Sequence, residues 1–315
     1  MKNASFQTVL DDLKISIRFA LKNVITYVLA IIGVAIVTFL LIAIVAAFIF
    51  VPIFLSPQGI QVFMAWADSL AEWNAASGAT IATGIFLIAL PFVAPFFVAT
   101  GALFGMSREI VESEGTSAEG VFTWYKKKFF SLAGGGIMLF LFILGPIMLV
   151  TLISVALFGD QILNLAFFGP SSAMNPFISA LGVIWLLLST GIMTMLFPAI
   201  IDGYSVIEAT KKSIRMSIQY FDRVFGVWLS YVILLVVLVS PLFIIAIPGL
   251  WTGFDAIMIM ISIYAVIMGL FVALVFLPGM SIGLTRVYMI LTADDEEFTP
   301  SEDEDESGPS FIGGL

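Results

Sequence analysis

VITYVLAIIGVAIVTFLLIAIVAAFIFVPIFL, residues 24–55, runs from end to end without a charged side chain. A helix crossing lipid needs about 20 mostly apolar residues, because every backbone N–H and C=O must be satisfied within the segment. This stretch exceeds that need, so it predicts a span with tilt, a break near Pro52, or an end projecting into water. Working outward, residues 79–106, 132–158, 175–201, 224–250 and 256–291 have the same character. None of the six contains Asp, Glu or Lys, and their one charge is Arg286 near the end of the last. The expected fold is therefore all-α: a polytopic membrane protein with six transmembrane helices spread over residues 24–291.

Composition agrees. Of 315 residues, 61% are hydrophobic and 11% charged, and mean hydropathy is +1.13. A soluble domain carries about 25% charged residues, so lipid must stand in for water around this chain. The sequence has no Cys and no His. That removes the usual ligands of zinc, copper, haem and iron–sulfur centres, any disulfide, and imidazole proton shuttles. A carboxylate-bound Mg or Ca ion stays open, but nothing in the sequence calls for a cofactor.

The net charge of −9 is a property of one segment. Nine of the 22 acidic residues fall in the run from Asp294 to Glu306, and the rest of the chain balances. Residues 292–315 thus read as a disordered acidic tail, able to dock a basic cytoplasmic protein. No broad basic face invites nucleic acid. The charges within residues 1–23 are wrong for a secretory signal.

All 13 basic residues sit before the first span, between the second and third, between the fourth and fifth, or at the end of the sixth. The alternate connections, 56–78, 159–174 and 251–255, hold none. The positive-inside rule then places both termini in the cytoplasm and the chain, multi-pass, in the cytoplasmic (plasma) membrane.

Internal echoes suggest three repeated units, each an interfacial amphipathic helix followed by a transmembrane hairpin. Lys14-Ile-Ser-Ile-Arg18 matches Lys211-Lys-Ser-Ile-Arg215, and each runs into a span; the segment from Glu119 to Lys128 is a looser counterpart. Within residues 1–23, Phe6, Val9, Leu10, Leu13, Ile17, Ala20 and Leu21 form an apolar stripe at helical spacing, as a helix in the membrane interface requires. Gly101-x-x-x-Gly105-x-x-Arg108 matches Gly279-x-x-x-Gly283-x-x-Arg286 at the ends of the second and sixth spans, a spacing that brings helix backbones close. Pro95, Pro198 and Pro278 should kink or loosen the even-numbered spans. Gly134-Gly-Gly136 enters a span and lacks the rest of a phosphate loop, so it marks flexible backbone or close packing. Residues 58–74, with Trp66 and Trp73, predict a further interfacial helix at the opposite side.

The amphipathic N-terminal segment, the span ending Phe197-Pro-Ala-Ile-Ile-Asp-Gly-Tyr204, and the following Ser205-Val-Ile-Glu208-Ala-Thr-Lys-Lys-Ser213 together resemble the prokaryotic membrane proteins related to the membrane domain of glycerophosphoryl diester phosphodiesterases. The resemblance implies a Pro-ended span, a Glu-Ala-x-x-x-Ser cytoplasmic helix and another span. It does not imply phosphodiesterase activity, because that work belongs to a soluble barrel domain absent from this sequence.

Candidate contacts follow from position. Asp202 suits either a ligand contact or an N-cap for the helix starting near Ser205. Arg108 and Arg286 occupy matched positions suited to lipid phosphate, to anchoring, or to pairing with Glu109 and Glu112. Lys126, Lys127 and Lys128 follow Trp124 and Tyr125, as a contact with anionic headgroups would need. No catalytic pair stands out. The function expected is a non-enzymatic membrane protein that scaffolds partners or organises lipid; a small-molecule or lipid transporter is the alternative, and the oligomeric state is open.

Overall fold

The computed structural model describes residues 6–71, 75–113, 115–158, 174–243 and 255–298. Every element among them is helical. In chain order these are α1 (Phe6–Lys22), α2 (Val24–Leu55), α3 (Pro57–Ala71), α4 (Ala75–Ser113), α5 (Ala118–Lys127), α6 (Phe129–Phe158), α7 (Met174–Ile192), α8 (Leu196–Asp202), α9 (Val206–Gln219), α10 (Phe221–Phe243) and α11 (Asp255–Phe271). A π-helical turn (Val272–Phe276) then leads into α12 (Leu277–Phe298). Among the described residues six stretches are long and apolar enough to cross a membrane: Val24–Leu55, Phe86–Ser113, Phe129–Val150, Ala180–Asp202, Phe221–Leu242 and Ile259–Ala293.

The order of short helix, one-residue joint, long helix occurs three times. The joints are Asn23 (φ −109°, ψ 18°), Lys128 (φ −116°, ψ 16°) and Tyr220 (φ −118°, ψ 41°). Each donates its N–H to the carbonyl four residues back, and its own carbonyl accepts from the residue four ahead. The hydrogen-bond ladder therefore continues while the axis turns. Counted from the joints, burial repeats in step. Ser16, Val121 and Ser213 are buried seven residues before; Tyr27, Leu132 and Val224 are buried four residues after.

Packing repeats as well, and it closes a ring. Helix α5 lies on α2 and α4, α9 lies on α6, α7 and α8, and α1 lies on α10 and α12. Each short helix is thus seated on the hairpin of the unit before it, with the first unit seated on the last. Helices α4, α8 and α12 touch one another at the centre.

The structure revises several expectations. The buried edge of α1 runs through Val9, Asp12, Ser16 and Ala20, while Phe6, Leu10 and Leu21 of the apolar stripe are exposed. Helix α4 continues past Met106 to Ser113, carrying Arg108, Glu109 and Glu112 beyond the apolar stretch. Pro52, Pro91 and Pro95 lie inside unbroken helices. Helix α12 runs past Leu291 through the first acidic residues to Phe298, and residues 299–315 lie outside the described chain. Trp73 also lies outside it, but α3 does form where a helix was expected.

The fourth span breaks one turn before Pro198, at Met193–Met195, because Pro lacks the N–H that would continue the ladder. The break leaves Ile192 with an orphaned carbonyl, and α9 repairs it: the hydroxyls of Ser213 and Ser217 donate to Ile192 O at 2.8 and 2.9 Å. Near Pro278 the sixth span uses another solution, with Leu277 N–H reaching back five residues to Val272 O. Ser213→Ala or Ser217→Ala alone should cost little, since one hydroxyl still holds the carbonyl. The double variant should lose about 1–3 kcal/mol, the cost of a buried unsatisfied acceptor. Unfolding midpoints of the three variants would show this; an additive pair of small losses would mean the shared acceptor does not matter.

Several glycines mark close contact between helices. A Cβ at Gly136 would overlap Phe97, one at Gly135 would overlap Ile200, and one at Gly101 would meet Leu132 and Phe197. The Gly134-Gly-Gly136 run is thus a packing surface, where α6 meets α4 and α8. Gly105 accommodates the ring of Trp124 from α5, and Gly283 faces Ser16 from α1. The second glycine of each matched pair therefore seats the next short helix in the ring, while Gly101 packs against α6 and α8.

Candidate functional site

Several of the polar groups inside the bundle are neutral hydroxyls. Tyr27 bonds Ser107 at 2.9 Å, and Ser107 bonds Ser281 at 2.7 Å, joining α2, α4 and α12. Ser16 and Tyr231 join α1 to α10 in the same way. In an apolar medium such bonds act as helix–helix glue.

The charges gather at the end of the bundle where α1, α5 and α9 sit, around three carboxylates. Asp202 closes α8, which ends on Gly203 at φ +119°, a left-handed position that glycine reaches without strain. Asp202 is not the N-cap of α9. Ser205 caps it, accepting from Glu208 N–H at 3.4 Å, while Glu208 accepts from Ser205 N–H at 3.1 Å. These bonds to Ser205 hold the Glu208 carboxyl below its ordinary value. Asp202 instead accepts from Arg108 at 2.8 Å and from the Tyr288 hydroxyl at 2.8 Å, tying the three central helices at one residue. Arg108 also donates to Glu112 at 2.8 Å.

Asp12 is the second centre. Its side chain is 4% exposed and pairs with Arg223 (11% exposed) and Arg286 (26% exposed), linking α1, α10 and α12. Glu109 is the third: Trp124 Nε1 donates to it at 2.8 Å and Thr116 donates to its other oxygen, fixing α5 on α4. Lys212 lies 4.0 Å from the Tyr204 ring centre and 5.1 Å from that of Tyr288, an aromatic seat for a cation. Burial pushes the Tyr125 phenol on α5 up.

Arg108 and Asp202, chosen separately from sequence, thus meet each other. Arg286 binds Asp12, a residue the sequence did not single out. Lys126 and Lys127 are exposed, Lys128 half-buried at its joint, and among the described residues none of the three reaches a carboxylate centre. Lys127 lies 5.4 Å from the Trp124 ring. Asp12, Arg223 and Tyr288 were missed, and Glu109, expected beside Arg108, instead holds Trp124 and Thr116. A signal for Asp12 existed: Asp12-x-x-x-Ser16-x-x-x-Ala20 aligns with Ala209-x-x-x-Ser213-x-x-x-Ser217, a line of small or short residues marking the packed edge of each helix.

Cavities lie among the described residues of this framework. One of about 360 Å³ lies between α2, α4 and α12 and is apolar, with exposed Phe39, Phe96 and Leu277 on its rim. One of about 920 Å³ lies among α2, α3 and α4, lined by residues such as Phe50, Val62 and Leu87. The third, about 510 Å³, is polar and lies beside Asp12. Among the described residues no three of Asp, Glu, His or Cys gather as a metal site. No family profile, no curated protein and no solved structure matches this chain.

Proposed function

We propose that this chain is a non-enzymatic integral protein of the cytoplasmic (plasma) membrane that organises lipid and scaffolds partners. In this reading both termini face the cytoplasm, with α1, α5 and α9 in the inner interface. The observation that carries it is the apolar cavity between α2, α4 and α12. Its exposed aromatic rim and about 360 Å³ suit an acyl chain, which is the medium those side chains would meet. The carboxylate centres support the non-catalytic part, since each is engaged in holding helices together. The acidic run from Asp294 to Glu306 is assigned to docking a basic cytoplasmic protein. Kinship with the membrane domain of glycerophosphoryl diester phosphodiesterases belongs to the same proposal and rests on the same residues around Pro198 and Glu208.

Native mass spectrometry of protein gently extracted from its own membrane tests this. Retained phospholipid or a stoichiometric basic partner is the expected result; a chain that comes away bare would overturn it. A transporter is favoured by one observation, the interruptions in the fourth and sixth spans, since such breaks house substrate in known transporters. Here the first break is sealed by Ser213 and Ser217. Substrate-dependent uptake into proteoliposomes would reverse the ranking.

The orientation has its own test, made simple by a chain with no Cys. Gln58→Cys should react with an impermeant thiol reagent on intact cells, and Thr123→Cys only after permeabilisation. Both positions are exposed and lie at opposite ends of the bundle. The reverse labelling pattern would invert the topology.

A further inference from the structure

The polar cavity of about 510 Å³ is bordered by Lys14 and Arg18 of α1, Arg223 of α10 and Arg286 of α12, against Asp11 and Asp12. Asp12 takes one donor from each of its two guanidiniums. A guanidinium has five N–H donors in a planar fork, so most of both forks remain for another acceptor. Lys14 and Arg18 are exposed and, among the described residues, have no ionic partner. Four cations and two carboxylates leave the lining with a surplus of two positive charges. The buried carboxylate holds two of those cations side by side, and the ring closure brings all four to one spot from three helices.

We infer that this cavity is a binding site for a phosphate group. A phosphate monoester carries roughly −1.5 to −2 charge at neutral pH, matching the surplus, and its oxygens fit the arginine fork. The volume exceeds what a bare phosphate fills, leaving room for the glycerol that bears a lipid's phosphate. The inference deepens the lipid-organising reading and relies on it only for the source of the phosphate, which is a lipid headgroup or the free anion.

The test uses full-length protein in nanodiscs of phosphatidylcholine alone or with phosphatidic acid, read by native mass spectrometry and thermal shift. Phosphatidic acid should be retained selectively. Each basic residue at an anionic surface contributes roughly fivefold in affinity, so Lys14→Gln with Arg18→Gln should weaken retention about twenty-five-fold. These side chains are exposed, so the fold should survive. Lys126→Gln with Lys127→Gln removes the same two charges outside the cavity and should weaken retention clearly less. Inorganic phosphate that stabilises the protein and displaces the lipid would identify the free anion as a ligand; lipid binding that phosphate does not displace would identify the headgroup. Equal binding by the Lys14/Arg18 variant, or equal loss with the Lys126/Lys127 variant, would overturn the site. Unselective lipid retained throughout would still leave the lipid-organising reading in place.

Discussion

Asp12→Asn should be among the most damaging single substitutions in this chain, lowering stability by about 3 kcal/mol. Removing one member of a buried ion pair costs roughly 3–5 kcal/mol, because the partner stays buried without compensation. Here two guanidiniums lose their anion together. The lower end of the range applies because Arg286 is 26% exposed and can turn towards water, whereas Arg223, at 11%, cannot do so easily. The unfolding midpoint in nanodiscs should fall by on the order of 5 °C. Glu112→Gln is the comparison: its pair with Arg108 lies one turn along the same helix, with Glu112 47% exposed, and such pairs contribute about 0.3–0.5 kcal/mol. Adding Arg286→Gln to Asp12→Asn should recover part of the loss by removing one stranded cation, a coupling that a double-mutant cycle reads directly. If Asp12→Asn and Glu112→Gln behaved alike, Asp12 would not be the clasp described.

The second large effect should come from one added methyl group, with opposite signs at two glycines of α6. At Gly136 a Cβ would fall on the Cβ and ring of Phe97. The Cβ of Phe97 is fixed to backbone, so the helices must part, and overpacking of this kind costs about 1–3 kcal/mol. At Gly145, two and a half turns along, a Cβ meets nothing within 4 Å. There alanine replaces the poorer helix former and should be neutral or stabilising, by up to about 1 kcal/mol. The same unfolding experiment serves for both. A loss at Gly145 as large as that at Gly136 would mean the penalty is not steric.

The contrast between those two glycines shows how far the sequence could be read. Uncharged runs in lipid can only be helices, so the six long helices were legible from hydropathy and the short ones from their spacing and charge. The likeness of Lys14–Arg18 to Lys211–Arg215 predicted repeated units, and the joints at Asn23, Lys128 and Tyr220 show a common backbone geometry behind it. Which unit sits on which was not legible, because seating depends on close approaches such as Gly105 with Trp124 and Gly283 with Ser16. The site was half legible for the same reason. Charge near an apolar boundary pointed to Arg108, Asp202 and Arg286. The partners of a carboxylate can lie anywhere along the chain, however, and Asp12 meets Arg223 and Arg286 across nearly the whole of it. Asp202 misled in a specific way: its place before Ser205 looked like a cap, but the capping box of Ser205 and Glu208 had already filled that role.

The seating of α1 on α10 and α12 also sets an order of events during synthesis. Helix α1 leaves the ribosome before α10 and α12, so Asp12 is made well ahead of the cations that neutralise it. At about 5–20 residues per second, that carboxylate waits for on the order of tens of seconds before Arg223 and Arg286 arrive. Until then Asp12 has neither of its two guanidinium partners. Insertion of the span that carries Arg286 is therefore what locks α1 down, and a chain stalled before it would display α1 unseated, a ready handle for quality control.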